Sequence, residues 1–223
     1  MILLAVDTSA SLCAAGIFDG DMELGRSVLD LGKGHAEYLM SVIDQALAAS
    51  DKTYRDLEAI AVATGPGSFT GVRVGVSTAR GLALALKIPA IGVSNLEAVA
   101  AEARDNHPNQ AILVAFTSGR GDIQAGLYDP FGTIVYHPAV IDLGQAVRFA
   151  TEHDAVVAGS ASVSIVAENT GLRSAGTAVT SDIGVYARLA RRPGHSLAKP
   201  TPLYLREPDA KPQASFVLPR AGG

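Results

Sequence analysis

Apolar residues recur along this chain in two alternating rhythms, regular enough to predict its elements in order. Three short runs open it, ILLAVDTS (2–9), LCAAGIFDG (12–20) and MELGRSVLDL (22–31), rich in β-favouring side chains and separated by turn residues. They predict a β-meander. Over 33–50 the period lengthens: Tyr38, Leu39, Val42, Ile43, Ala46 and Leu47 fall at helical spacing with polar residues between, the pattern of an amphipathic helix. A buried strand at 58–65, a helix at 70–87, a strand at 88–93 and a helix at 94–105 follow, the last opened by Ser94 and Glu97 at capping-box spacing.

From residue 110 the same order starts again. QAILVAF (110–116), IQAGLYD (123–129) and TIVYHPAV (133–140) predict strands, with the DPFG turn between the second and third. A helix at 142–153 capped by Asp142, a strand at 154–160, a helix at 162–171, a short strand TAVTS at 177–181 and a helix at 182–192 capped by Asp182 complete the second pass. Strands alternating with helices imply a mainly parallel sheet covered on both faces, with each meander as its antiparallel part. The expected fold is therefore α/β, two ribonuclease-H-like lobes of the actin-like ATPase superfamily. The first lobe spans 1–108, the second 109–192, and a proline-rich, irregular tail covers 193–223.

Composition narrows the class. The 223 residues are 48% hydrophobic and 18% charged, enough to bury a substantial core. The start lacks the basic segment of a signal peptide, and Arg80 and Lys87 interrupt the most apolar stretch, so a cytoplasmic protein without a membrane span is expected. Up to Asp182 there are 11 Lys and Arg against 20 Asp and Glu, and beyond it 7 against 2. The chain is acidic with a basic end, a poor balance for a stand-alone nucleic-acid binder. The single cysteine, Cys13, lies in an apolar run and reads as a small core residue.

Two stretches could carry chemistry. Asp7-Thr8-Ser9 follows the first strand, where actin-like lobes offer a loop to nucleotide phosphates; Asp7 would serve there, or would cap backbone N–H groups of its own turn. The matching place in the second lobe, Ala115-Phe116-Thr117-Ser118-Gly119, has no carboxylate before Asp122. GPGSFTGVRVG (65–75) joins a buried strand to a helix and lacks the lysine of a phosphate-binding P-loop. Within that helix Gly71, Gly75, Ala79 and Ala83 recur every fourth residue, a stripe that lets another element approach closely. Val72, Val76, Leu82 and Leu86 around it call for a second packing surface, either a helix of the same chain or, the preferred expectation, a partner subunit. The histidines, His35, His107, His137, His153 and His195, show no ligand spacing and read as surface or capping residues. Ser68 is the one serine in a glycine-rich turn, with no base placed near it.

ILLAVDTS, GPGSFTGVRVG running into STARGLALAL, IPAIGVSNLEA and the later PLYLREPDAK together resemble the TsaB (YeaZ-like) family of threonylcarbamoyladenosine biosynthesis proteins, over nearly the whole chain. The resemblance implies a non-catalytic, actin-like paralogue of the TsaD transferase. Such a protein pairs with TsaD through first-lobe helices and, with the ATPase TsaE, supports threonylcarbamoyl transfer to an adenosine beside the tRNA anticodon. Leu39, Val42, Ile43, Gly71, Val72, Gly75, Val76 and Ala79 become the expected interface, and Gly75→Leu should abolish pairing while leaving the monomer folded. Also implied are a homodimer when the partner is missing, tRNA contact only through the complex, and no required cofactor, with ATP or ADP as a candidate at the shared interface. The catalytic paralogue carries a His-x-x-x-His metal pair where Asn95 and Val99 stand here, so neither a metal site nor a catalytic residue is expected. One departure is Thr117-Ser118-Gly119-Arg120, where many members carry an Asp-Ala-Arg-like run. Two rival readings remain: a self-sufficient actin-like ATPase using Asp7 and Ser9 on phosphate, and an RNA-binding protein using the basic tail.

Overall fold

A computed structural model describes residues 1–119, 121–192 and 199–205. The first half contains β1 (Ile2–Asp7), β2 (Leu12–Asp19), β3 (Met22–Asp30), α1 (His35–Ala49), β4 (Ala59–Ala63), α2 (Phe69–Leu86), β5 (Ala90–Val93) and α3 (Asn95–Asn106). The second contains β6 (Ile112–Thr117), β7 (Ile123–Tyr128), β8 (Ile134–Ile141), α4 (Leu143–Glu152), β9 (Val156–Ala158), α5 (Ser162–Glu168), β10 (Arg173–Gly176) and α6 (Ile183–Ala190). The sheets are ordered β3-β2-β1-β4-β5 and β8-β7-β6-β9-β10, so the repeat inferred from the pattern is a repeat of topology. In each, the meander is antiparallel and the fourth and fifth strands run parallel to the first.

Burial follows from position in these sheets. β1 and β4 are central, so ILLAVD and AIAVA are apolar on both faces, whereas β3 lies at an edge and mixes exposed with half-buried residues. On one side of the first sheet, Leu4, Val6, Ile60 and Val62 meet Leu39, Ile43, Val72 and Val76 of α1 and α2. On the other, Leu3, Ala5 and Ala61 meet Ile183, Tyr186 and Leu189 of α6 and Ala98 and Ala101 of α3. Helix α3 turns its second face, Leu96, Val99 and Ala103, onto Ile112, Val114 and Tyr128 of the second sheet. The outer face of that sheet is covered by α4 and α5. The layers therefore run α1/α2, sheet, α3/α6, sheet, α4/α5. Each fully buried Leu, Ile or Val adds about 1.5–3 kcal/mol, and α3 gathers that gain from both lobes at once. Helix α6, at the end of the second lobe in sequence, returns to pack on the first sheet. Arg26 of β3 bonds both oxygens of Asp182 there, at 2.7 and 3.1 Å, and Asp182 caps α6 through Gly184 N–H.

Three expectations need correcting. TAVTS is not a strand: the last strand of the second sheet is Arg173–Gly176, where Arg173 and Ser174 pair with Val156 and Val157. The helix expected over 162–171 ends at Glu168, with Asn169 extended beyond it. Ser94 caps α3 through Leu96 N–H alone, while the reciprocal box forms at α4 between Asp142 and Gln145. Arg120, His195 and residues 206–223 of the tail lie outside the described residues.

Candidate functional site

The Asp7-Thr8-Ser9 turn and the GPGSFTG loop form one interlocked joint. All three turn residues are buried. Asp7 Oδ1 accepts from the Ser9 N–H at 2.8 Å and the Ser9 hydroxyl at 2.6 Å. The Thr8 hydroxyl donates to the Gly71 carbonyl at 2.7 Å, and the Ser68 N–H donates to the Ser9 carbonyl at 2.7 Å. A Cβ on Gly67 would overlap the Ser9 carbonyl oxygen, one on Gly71 the Thr8 carbonyl oxygen, and one on Gly75 would sit 2.5 Å from the Thr8 hydroxyl. The glycines are thus needed for the approach of α2 to the chain's own first turn. Of the two readings of Asp7, the structure shows the carboxylate capping its own turn. Burial pushes its carboxyl above the usual range, against the lowering effect of the Ser9 bonds.

Asn95 closes the joint from behind. Its Nδ2 donates to Ser9 Oγ at 2.8 Å and to the Pro66 carbonyl at 2.9 Å, its Oδ1 accepts from the Tyr186 hydroxyl at 3.0 Å, and its N–H donates to the Gly65 carbonyl at 2.8 Å. One buried amide therefore ties the first turn, the glycine loop and α6 together. The family resemblance marked Asn95 only as standing where a histidine is expected, and the bond of Tyr186 carried no sequence signal, because its partner lies 91 positions away. Val99, four residues on, is packed among the apolar residues of α3 and the second sheet. No group of three or more His, Cys, Asp or Glu able to hold a metal ion occurs among the described residues.

The corresponding place in the second lobe is joined mainly through backbone: the Ala161 N–H donates to the Ala115 carbonyl at 3.0 Å, and a Cβ on Gly159 would sit 2.5 Å from that carbonyl oxygen. The Thr117 N–H donates to Ser160 Oγ at 2.9 Å and the two hydroxyls lie 3.1 Å apart. The carboxylate nearest in sequence, Asp122, lies beyond the turn, where its carbonyl accepts from Ser118 N–H at 2.8 Å.

The residues expected at a partner interface face the other way. Leu39, Val42, Ile43, Gly71, Val72, Gly75, Val76 and Ala79 are all buried within the chain, those of α1 over β2 and β3 and those of α2 over β4, β1 and the first turn. The small-residue stripe of α2 serves the chain's own core, so Gly75→Leu would disrupt the monomer. The helical period hid this, because on α2 apolar residues occupy the outward face as well. There Phe69 is 57% and Leu84 82% exposed, and Tyr38 and Met40 of α1 are also exposed. A shallow groove of about 420 Å3 runs between the helices, lined by Ala36, Phe69, Arg73, Val74 and Ser77. Arg73 holds its guanidinium 3.7 Å over the Phe69 ring and donates from Nε to the Tyr204 hydroxyl at 2.7 Å. Tyr204 therefore straps the start of α2, helped by Leu203 N–H on the Thr64 carbonyl at 2.8 Å.

The remaining candidates separate cleanly. Cys13 is buried as expected, and burial pushes its thiol up to about 11. His35, expected as a surface or capping residue, is the first residue of α1 and is buried with no hydrogen bond to Nε2. Ser68 caps α2 by accepting from the Gly71 N–H at 3.2 Å, and no histidine bonds to it among the described residues. No described helix is long and apolar enough to cross a membrane.

A family profile described as TsaD, tRNA N6-adenosine threonylcarbamoyltransferase, matches residues 30–191. YeaZ from Pseudomonas aeruginosa shares the fold at a TM-score of 0.73, with 24% identity over 91% of this chain and 100% of that one. Component A of the (R)-2-hydroxyglutaryl-CoA dehydratase of Acidaminococcus fermentans shares it more loosely, at a TM-score of 0.52 and 10% identity over 84% and 96%. Together with the repeated strand order, these define a two-lobed α/β protein of the TsaD-type class. The tRNA threonylcarbamoyladenosine biosynthesis protein TsaB of Bacillus subtilis (strain 168) is 38% identical over 128 residues, 57% of this chain and 55% of that protein. Its Escherichia coli (strain K12) namesake is 30% identical over 138 residues, 61% and 59%. An uncharacterized Mycobacterium tuberculosis protein, Rv3421c, is 33% identical over 222 residues, 95% of each chain. Within the TsaD-type class, the chain belongs to the TsaB/YeaZ family. The match spans between about half and two thirds of the length of its TsaB relatives.

Proposed function

We propose that the chain acts in the cytoplasm as a non-catalytic subunit in the formation of threonylcarbamoyladenosine on tRNA. It docks a TsaD-type transferase through the outward faces of α1 and α2 and supports recruitment of a TsaE-type ATPase. Without the partner, the same surface pairs with a second copy. tRNA is met through the complex, and no cofactor of its own is required; ATP or ADP would bind at the shared interface.

The observation that carries this reading is the fate of Asn95. At the position where the catalytic paralogue is expected to hold a metal through histidine, this chain uses an amide wholly occupied in fastening its own loops. An amide is a poor ligand for a transition metal, and Val99 is no ligand at all. What the joint does is hold α2 rigidly with its apolar outer face in water, the arrangement of a docking surface. The alternative of a self-sufficient ATPase requires Asp7 free for Mg²⁺, and its Oδ1 is already bonded twice.

The reading is tested by reconstituting threonylcarbamoyl transfer with TsaD, TsaE, the adenylate-forming synthase, ATP, threonine and bicarbonate, with and without this protein. Modification that depends on the chain, with no ATP turnover by the chain alone, is expected. Modification indifferent to its presence would refute the assignment.

A further inference from the structure

At the far end of α2 from the strapped Phe69, Arg80, Lys87 and Lys199 rim a cleft of about 500 Å3 whose floor includes Leu84, Ile88 and Pro200. No carboxylate lines it, and none of the three cations forms an ion pair among the described residues. This is unusual in a chain of net charge −4. The other strongly charged cleft, beside α6, has its arginines already matched: Arg188 pairs with Asp105 at 2.7 Å and Arg191 with Asp21 at 2.8 Å. Lys87 adds a second, independent sign. It ends α2 at φ 59° and ψ 38°, the left-handed conformation in which helix stability favours glycine, so a cation stands where the fold alone would select against any side chain.

The lining selects among anionic occupants. A phosphodiester backbone would satisfy the cations and leave the apolar floor uncovered, with Leu84 still projecting into water at 82% exposure. A peptide whose carboxylates flank an apolar side chain satisfies both. We propose that this cleft docks an acidic segment of a partner protein, with one apolar anchor lying on Leu84 and Ile88 and carboxylates reaching Arg80, Lys87 and Lys199. The cleft shares Leu84 with the outward face of α2 assigned above to the transferase, and its test, which uses this chain alone, does not depend on that assignment.

The probe is a fluorescein-labelled decapeptide of sequence EELFEELFEE, titrated with the full chain by fluorescence anisotropy in 0.15 M salt, beside labelled decaglutamate and a ten-nucleotide oligouridine. Saturable binding of the mixed peptide is expected, weakened about tenfold by Arg80→Glu combined with Lys87→Glu and a few-fold by Leu84→Ser, with both apolar-free probes binding more weakly. Lys87→Gly is expected to weaken binding while raising the melting temperature, which separates recognition from folding. Absence of binding, binding indifferent to the double variant, or decaglutamate or oligouridine binding as tightly as the mixed peptide would each overturn the proposal.

Discussion

The two lobes share one strand order and turn at the same place, with Gly65 at φ 87° after β4 and Gly159 at φ 98° after β9, yet they use that turn differently. In the first lobe, Asp7, Thr8, Ser9, the glycine loop, Asn95 and Tyr186 interlock, and an 18-residue helix leaves the joint with an apolar outer face. In the second, two bonds between Thr117 and Ser160 and one from the Ala161 N–H to the Ala115 carbonyl span the gap, and the helix that follows has 7 residues. One topology thus carries two kinds of turn: the first is fastened through buried side chains, the second through backbone bonds and an exposed hydroxyl pair. The docking role proposed above would draw on the first, because a surface held in place loses less conformational entropy on binding.

Substitutions can break this contrast, the strongest first. Gly71→Ala puts a Cβ into the Thr8 carbonyl oxygen, so α2 must shift; a loss of about 3 kcal/mol or more in urea unfolding is expected. Asn95→Ala leaves the Ser9 and Tyr186 hydroxyls and the Pro66 carbonyl short of a partner, at a cost of about 2–3 kcal/mol by the same measurement. Phe69→Ser with Arg73→Glu acts on the outer face instead: folding stability changes by about 1 kcal/mol at most, while affinity for a TsaD-type partner falls by about 2 kcal/mol, roughly thirtyfold in Kd by calorimetry.

Smaller effects sharpen the contrast. Because burial raises the Asp7 carboxyl in the folded chain, its favourable contribution is present in acid and lost as pH rises through the folded value. Asp7→Asn, which keeps the acceptor without the charge, should therefore gain stability relative to the unsubstituted chain from about pH 4 upward, followed as the difference in melting temperature between the two. An unchanging difference would mean the carboxylate is not desolvated. Ser160→Ala in the second lobe should cost under about 1 kcal/mol, since only the exposed Thr117 end loses a partner. If it cost as much as Asn95→Ala, the two turns would be equivalent after all.

The fold was legible in the sequence because its signals are local. Periodicity marks nearly every element, and the repeat shows as an order of elements even where the halves share few residues. The one misplaced strand, Arg173–Gly176, carries an Arg, a Ser and a Gly instead of a β-branched run, and only its pairing with β9 makes it a strand. The candidate site was legible in place and misread in direction. A small-residue stripe reports that something approaches closely; it cannot say whether that is a partner helix or, as here, the carbonyl and hydroxyl of Thr8 some sixty positions earlier. Tyr186 is likewise held by a partner remote in sequence, Asn95.

A first-lobe joint that presents a surface and performs no chemistry, as proposed, should respond differently to two substitutions when threonylcarbamoyl-modified tRNA is measured in the reconstituted system: Asp7→Asn and, separately, Phe69→Ser combined with Arg73→Glu. Modification near the unsubstituted level with Asp7→Asn and its loss with the surface pair are predicted; loss with Asp7→Asn in a folded protein that still binds its partner, and none with the surface pair, would contradict the account.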